Sequence, residues 1–169
     1  MLIRQRILTV GAAGVTRIVW CEAFAVGHEG LDSEHRRLVD LINVIYAAGS
    51  VLWSRNKVGS LLDDLSNAVR QHFRNENSIL LNIGRRPIPS NVERLSFIQV
   101  VVDAELDRHI ASHAQTLPKL RSIIGDIRSE LDMTEPHFNS DLSDWFIEHA
   151  TVYDAHLRPI FEALKRPTI

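Results

Sequence analysis

Apolar residues recur at three- and four-residue steps along four long stretches of this chain, the spacing of helices that bury one face. Leu38, Leu41, Ile42 and Ile45 mark the first stretch, which starts near Asp32 or Ser33, either able to cap it, and ends near Gly49. Leu61, Leu65, Ala68, His72, Ile79 and Ile83 mark the second, from about Asn56 to Asn82. Gly84 stops it, and Pro87 and Pro89 follow as breakers. Ser90-x-x-Glu93 has the capping-box pattern and opens a long third stripe: Val92, Leu95, Val102, Leu106, His109, His113, Leu117, Leu120 and Ile124. Pro118 should kink or break that helix, because it removes a backbone donor and crowds the preceding turn. Asp126–Phe138 reads as a connection with Pro136 near its end. Ser140–Leu164 reads as the fourth helix, with Leu142, Trp145, Phe146, His149 and Val152 inward. The first thirty residues look irregular, although Arg6–Val10 and Val15–Trp20 flank Gly11-Ala12-Ala13-Gly14 as a short hairpin would. The prediction is all-α: one domain over residues 1–169, an up-down-up-down four-helix bundle with an irregular N-terminal arm.

Composition narrows the partners. The chain has 169 residues, 45% apolar and 24% charged, with a net charge of -2. That balance suits a soluble globular protein and gives no electrostatic case for nucleic acid or an anionic membrane surface. The longest uncharged stretch, between Asp40 and Arg55, is too short to span a bilayer. Met1–Arg6 is basic and Ile7–Val15 apolar, a faint likeness to a secretory leader. Arg17 follows at once without a clear small-residue cleavage site, so the expected location is the cytoplasm. Cys21 is the single cysteine, which excludes an internal disulfide and a Cys-rich metal site. It reads as a small buried side chain.

Eight histidines carry the chemistry. His72 and Glu76 are four residues apart on the second helix, and His109 and His113 four apart on the third. Each such pair shares one face, a turn apart, and can reach a common point. Imidazole with carboxylate suits iron, zinc, copper or manganese. A lone pair of this kind is often a surface accident or a solvated ion pair. Here, however, His109 and His113 fall on the stripe that the pattern otherwise gives to Leu and Val. Imidazoles buried there need a partner for each nitrogen, and a metal supplies one. His35 adds a candidate without a geometry. His149 and Asp154 are five apart, about 140° around an ideal α-helix, and pair only across a local distortion or in a spread-out site.

Read in order, the motifs resemble the hemerythrin family, specifically the bacterial hemerythrin-like proteins with their cation-binding domain. Trp20-x-x-x-Phe24-x-Val26-Gly27 is similar to the family's N-terminal arm, and Leu31-Asp32-Ser33-Glu34-His35 to its first ligand motif. His72-Phe73-x-x-Glu76 resembles the second, His109-x-x-x-His113 the third, and Trp145-Phe146-x-x-His149-x-x-x-x-Asp154 the fourth, whose five-residue step is the family's own. The likeness covers about residues 20–160. It departs at three places. Glu76 and His109 are further apart than usual, which should enlarge the region around Arg85–Asp107. Asn77 stands where an acidic residue commonly follows the bridging Glu. Phe146 stands where Leu is common.

The resemblance implies a non-haem site of two iron ions with a bridging oxo or hydroxo group. His109, His113 and His149 would hold one iron, and His35 and His72 the other, with Glu76 and Asp154 bridging. One coordination position would stay open on the iron with two histidines, where dioxygen would bind. Phe73, Trp145 and Phe146 would wall that oxygen pocket, with Phe146 as its gate. His28, His137 and His156 are left over as loop or surface residues. No general base, nucleophile or substrate pocket is evident, so the expected function is reversible dioxygen binding for storage, transport, delivery or sensing, without enzymatic activity. The alternatives are a redox protein handling nitric oxide or peroxide at the same site, and a metal-dependent sensor acting on a partner in trans through the enlarged region.

Overall fold

The computed structural model describes residues 8–10, 16–49, 55–85, 93–131 and 140–165. Two short antiparallel strands come first, β1 (Leu8–Val10) and β2 (Thr16–Ile18), in the register Leu8↔Ile18. A single 3-10 turn at Glu22–Phe24 follows. Then come α1 (Glu29–Gly49), α2 (Arg55–Gly84) and α3 (Glu93–Glu130). The fourth helix is composite: α4 (Asp141–Glu148), a π-turn over His149–Tyr153, a 3-10 turn over Asp154–Leu157, and α5 (Arg158–Lys165).

Contacts between neighbours fix the directions. Glu34 near the start of α1 meets His72 and Asn75 late in α2. Asp63 early in α2 meets Arg128 at the end of α3. Lys119 and Thr116 of α3 meet Glu148 and Trp145 of α4. Tyr46 near the end of α1 accepts the backbone N–H of Ser143, while Arg158 reaches back to Ala25, before α1. Every neighbour is antiparallel, and the result is an up-down-up-down four-helix bundle.

The core is divided lengthwise. One apolar cluster gathers Leu38, Ile42 and Ile45 of α1, Leu62, Leu65 and Val69 of α2, Leu120 and Ile124 of α3, and Leu142, Trp145 and Phe146 of α4. Cys21 packs against this cluster but is only half-buried, because it sits in the arm at the cluster's edge. A second cluster gathers Val26, Leu31, Leu80, Ile83, Val102, Leu157, Ile160 and Phe161. Between the two in sequence, on all four helices, lie the buried polar residues His35, His72, Glu76, His109, His113, His149 and Asp154. A polar layer is thus enclosed by apolar material along the bundle axis.

The helix boundaries differ from the sequence reading in ways that local chemistry explains. α1 begins a turn before Asp32. The cap is His28, whose Nδ1 accepts the N–H of Leu31 and whose carbonyl accepts that of Asp32. Asp32, inside the first turn, reaches back to the N–H groups of Val26 and Gly27 at 2.7 and 3.3 Å. Gly27 has φ of +84°, the left-handed region that favours glycine. α3 runs uninterrupted through Pro118. Pro118 and Ala114, whose carbonyl loses its donor, are both exposed, where loss of one helical hydrogen bond costs least. The same helix continues past Asp126, because buried Ile127 prolongs its apolar stripe. Its N-terminal part occupies much of the enlarged stretch before His109. Val152, inward by α-helical phase, is in fact 53% exposed, because the π-turn changes that phase after His149. The Gly11–Gly14 turn, Pro87, Pro89, Ser90, Val92, Pro136 and His137 lie outside the described residues, as does the side chain of Leu95.

Arg158 ties the fourth helix to the N-terminal arm. Its guanidinium donates to the carbonyls of Glu22, Ala23 and Ala25, a fork that one planar cation can span. Arg158→Ala is expected to lower the unfolding free energy by about 1.5–3 kcal/mol, the range for hydrogen bonds to a charged donor. The check is a lower urea midpoint at an unchanged m-value. An unmoved midpoint would mean that packing alone holds the arm.

Candidate metal centre

Each of the four helices delivers part of the polar layer. α1 supplies His35, α2 His72 and Glu76, α3 His109 and His113, and the composite helix His149 and Asp154. All seven are nearly or wholly buried. The i,i+4 pairs on α2 and α3 need only regular helix. The five-residue step needs the π-turn. There the N–H of Asp154 bonds the carbonyl of His149, an i→i+5 bond. That bond brings residues five apart onto one face, as the ordinary i→i+4 bond does for residues four apart. His149 Nε2 lies 2.9 Å from Asp154 Oδ2.

The donors converge as two groups. His35, His72, His149 and Asp154 form one, and Glu76, His109, His113 and Asp154 the other. Both carboxylates face both groups. Asp154 Oδ2 approaches His35 Nε2 at 3.0 Å and His72 Nε2 at 3.6 Å, while Oδ1 approaches His109 Nε2 at 3.4 Å. Glu76 Oε1 lies 3.4 Å from His72, and Oε2 lies 3.2 and 3.1 Å from His109 and His113. His149 stands between the groups, its ring 5.5 Å from that of His72 and 6.1 Å from that of His113. Its Nε2 leans to the oxygen shared with His35 and His72. By donor distance it groups with that pair, while its ring also lies within reach of His113, the partner that the resemblance implies.

The far side of the imidazoles sets their tautomers. His35 Nδ1 donates to the carbonyl of Phe24 at 2.6 Å, and His72 Nδ1 donates to Glu34 Oε2 at 2.9 Å. Asn75 in turn holds Glu34. Such outer partners aim the other ring nitrogen inward and raise its basicity. Two inward nitrogens, His35 Nε2 and His72 Nε2, then face each other at 3.1 Å. Two lone pairs at that distance repel unless a proton or a cation lies between them. Glu76 Oε1, His109 Nε2, His149 Nε2 and Asp154 Oδ1 are buried at the same centre without a hydrogen-bond partner. Unpartnered buried acceptors are costly, and here they are concentrated where a cation would satisfy them together. The residues fit a metal.

Electrostatics agree. Burial alone would strip the proton from His72, but Glu76, Asp154 and Glu34 outweigh it and push its pKa up to about 10. Burial and Asp154 disfavour charge on Glu76, yet His72, His109 and His113 hold its pKa down to about 2. Burial likewise opposes charge on Asp154, and His149, His35 and His72 hold it well below the ordinary carboxylate range. For His109 burial opposes charge, while Glu76, Asp154 and Glu105 raise it overall. For His113 burial prevails and lowers it. Both central carboxylates are thus anionic in the metal-free protein, and a cation entering there replaces protons.

Aromatic rings close the centre. Phe73 stacks on His113 at 3.7 Å and 4°, and Trp145 lies nearly parallel to His149 at 5.5 Å. Phe146 meets His35 edge-on at 5.9 Å and Phe24 at 5.2 Å. The Trp145 indole N–H is satisfied by the carbonyl of Thr116.

The description Hemerythrin HHE cation binding domain matches residues 26–161, most of the chain. The chain belongs to the hemerythrin family. Among curated proteins it is similar to a bacteriohemerythrin of Stenotrophomonas maltophilia (strain R551-3). The two are 21% identical over 131 residues, which cover 72% of this chain and 84% of the relative. No solved structure matches the chain. As a hemerythrin domain it is a cation-binding bundle, and the seven buried donors are where its described residues concentrate metal-ligand chemistry. Sequence reasoning misses the outer partners Glu34 and Phe24. Glu34 lies inside a quoted motif, but it serves His72 on another helix, and only the fold shows that. Phe24 acts through its carbonyl, which no residue type advertises.

The π-turn makes a length-dependent prediction. Deleting exposed Val152 turns the five-residue step into a four-residue one, which a regular α-helix also places on one face. The variant should still take up metal. Deleting Thr151, Val152 and Tyr153 leaves a two-residue step, about 200° around an α-helix, and uptake should fall sharply while circular dichroism still reports helix. Equal uptake by the two variants would show that Asp154 is not a shared donor.

Proposed function

We propose that this hemerythrin-family protein holds two iron ions with a bridging oxo or hydroxo group and binds dioxygen reversibly, for storage, delivery or sensing. The observation that carries the reading is the pair of donor groups joined by Asp154, five imidazoles to two carboxylates. His35, His72, His109, His113 and His149 would hold the ions, with Glu76 and Asp154 shared between them. Two ferrous ions held there would supply the electrons for reversible capture of dioxygen. Five imidazoles divide unequally between two ions, so one ion would have fewer imidazole ligands than the other.

The protein's own part is enclosure. Phe73, Trp145 and Phe146 cover His113, His149 and His35 with apolar surface, which lowers the local dielectric and shields that side of the centre. Among the described residues, aromatic rings stack directly on two of the ligand imidazoles, Phe73 on His113 and Trp145 on His149. No helix among the described residues is long and apolar enough to cross a membrane.

The test is elemental analysis paired with absorption spectra, recorded without oxygen and then in air. The expected result is two irons per chain and charge-transfer bands that appear with oxygen and fade on its removal. Two irons that oxidise at once, with no reversible adduct, would overturn oxygen binding in favour of nitric oxide or peroxide handling. No iron in protein from iron-replete cells would overturn both.

A further inference from the structure

Glu105 is a buried charge that the seven-donor centre does not use. It lies on α3 one turn before His109, and its side chain is 7% exposed. Oε2 is held by Arg108 at 2.7 Å, whose own side chain is 61% exposed. Oε1 is buried without a partner. A carboxylate oxygen in that state is destabilising unless something on the protein's inner side offsets it.

The inner side is His109. Helical side chains lean toward the N-terminus of their helix, so His109 leans over the turn that carries Glu105. Both residues line one cavity of about 260 Å³, together with Arg108, Ser112, Tyr153 and His156. His109 turns Nε2 to Glu76 and Asp154, which leaves Nδ1 as its second nitrogen. Ser112 is not available as a rival donor, because its hydroxyl donates to the carbonyl of His109.

We infer that Glu105 is the outer carboxylate of His109, accepting its Nδ1–H through water in this cavity and so positioning Nε2 for the metal. The arrangement parallels Glu34 behind His72 at the opposite flank of the centre. Each of the two donor groups then has one anion behind it, and the positive charge of the metals offsets the buried Oε1. This rests on the di-metal reading. It adds a residue that lies outside every ligand motif and that exists at this position because α3 begins well before His109.

The experiment compares iron-loaded wild type with Glu105→Gln, Glu105→Asp and Arg108→Ala. It follows chelator-driven iron release and the midpoint potential of the iron centre. Glu105→Gln keeps the volume and loses the charge. It should release iron about 10–100-fold faster, the usual cost of removing an outer partner of a ligand histidine, and shift the potential upward. Glu105→Asp should fall between it and wild type. Arg108→Ala leaves the carboxylate in place and should stay near wild type. In zinc-loaded wild type, nitrogen NMR should show His109 carrying its proton on Nδ1 with Nε2 on the metal, a readout that requires no variant to fold. Release and potential unchanged in Glu105→Gln, or Arg108→Ala matching it, would overturn the inference, the latter by making the pair a surface clamp. Metal on His109 Nδ1 instead would also overturn it. Wild type that takes up no metal would overturn the di-metal reading as well.

Discussion

Everything in this bundle is arranged around the cost of burying seven polar side chains at one level. Two carboxylates and five imidazoles in an apolar interior are tolerable only if each lone pair has a proton or a cation to face. The structure meets part of that demand from within. His72 is driven toward its charged form by Glu76, Asp154 and Glu34, and Asp154 lies within reach of His35, His149 and His109 at once. Part of what it leaves unmet lies at one level: Glu76 Oε1, His109 Nε2, His149 Nε2 and Asp154 Oδ1 are buried there without hydrogen-bond partners. Acceptors gathered in that way suit a cation that arrives there.

That constraint explains the divided core. A continuous apolar core would be more stable, yet here the polar layer separates two apolar clusters on every helix. The larger cluster, with Trp145, Phe146 and the leucines of α1 and α2, keeps water away from one side. The smaller one, with Leu31, Leu80, Val102 and Phe161, closes the other. Helices in antiparallel order make this possible, because a layer at one height meets each helix at its own point along the chain. His35 lies near the start of α1, and His72, His109 and His149 lie nearer the middle of their elements.

Much of this is legible in the sequence. Periodic apolar residues locate four helices, and the i,i+4 pairs on α2 and α3 fall on inward stripes by spacing alone. Where sequence and fold part, the causes are physical. Pro118 predicts a break through the bond it removes, although the loss of one helical hydrogen bond costs least at an exposed position. Asp32 outranks His28 as a cap by residue type. Residue types rank capping propensity, and the actual choice depends on where the arm enters. Val152 points inward only by α-helical phase, which the π-turn changes. The spacing of His149 and Asp154 announces that some distortion is required, and only the resemblance to a family says that it is real. Glu34 and the carbonyl of Phe24 are illegible, since they act across helices or through the backbone.

The same π-turn shows how local irregularity is kept because of the site. An i→i+5 turn is a poorer helix than the one it interrupts, and it exposes Val152. A regular helix with Asp154 one residue earlier would avoid both penalties. In exchange, the turn lets His149 and Asp154 meet while the segment after it still presents Leu157, Ile160 and Phe161 to the smaller cluster and Arg158 to the arm. The arm held by Arg158 contains Phe24, whose carbonyl orients His35. One composite helix therefore sets the shared carboxylate directly and a histidine on α1 indirectly. The bundle's N-terminal arm is part of the metal centre for that reason, even though it supplies no ligand side chain of its own.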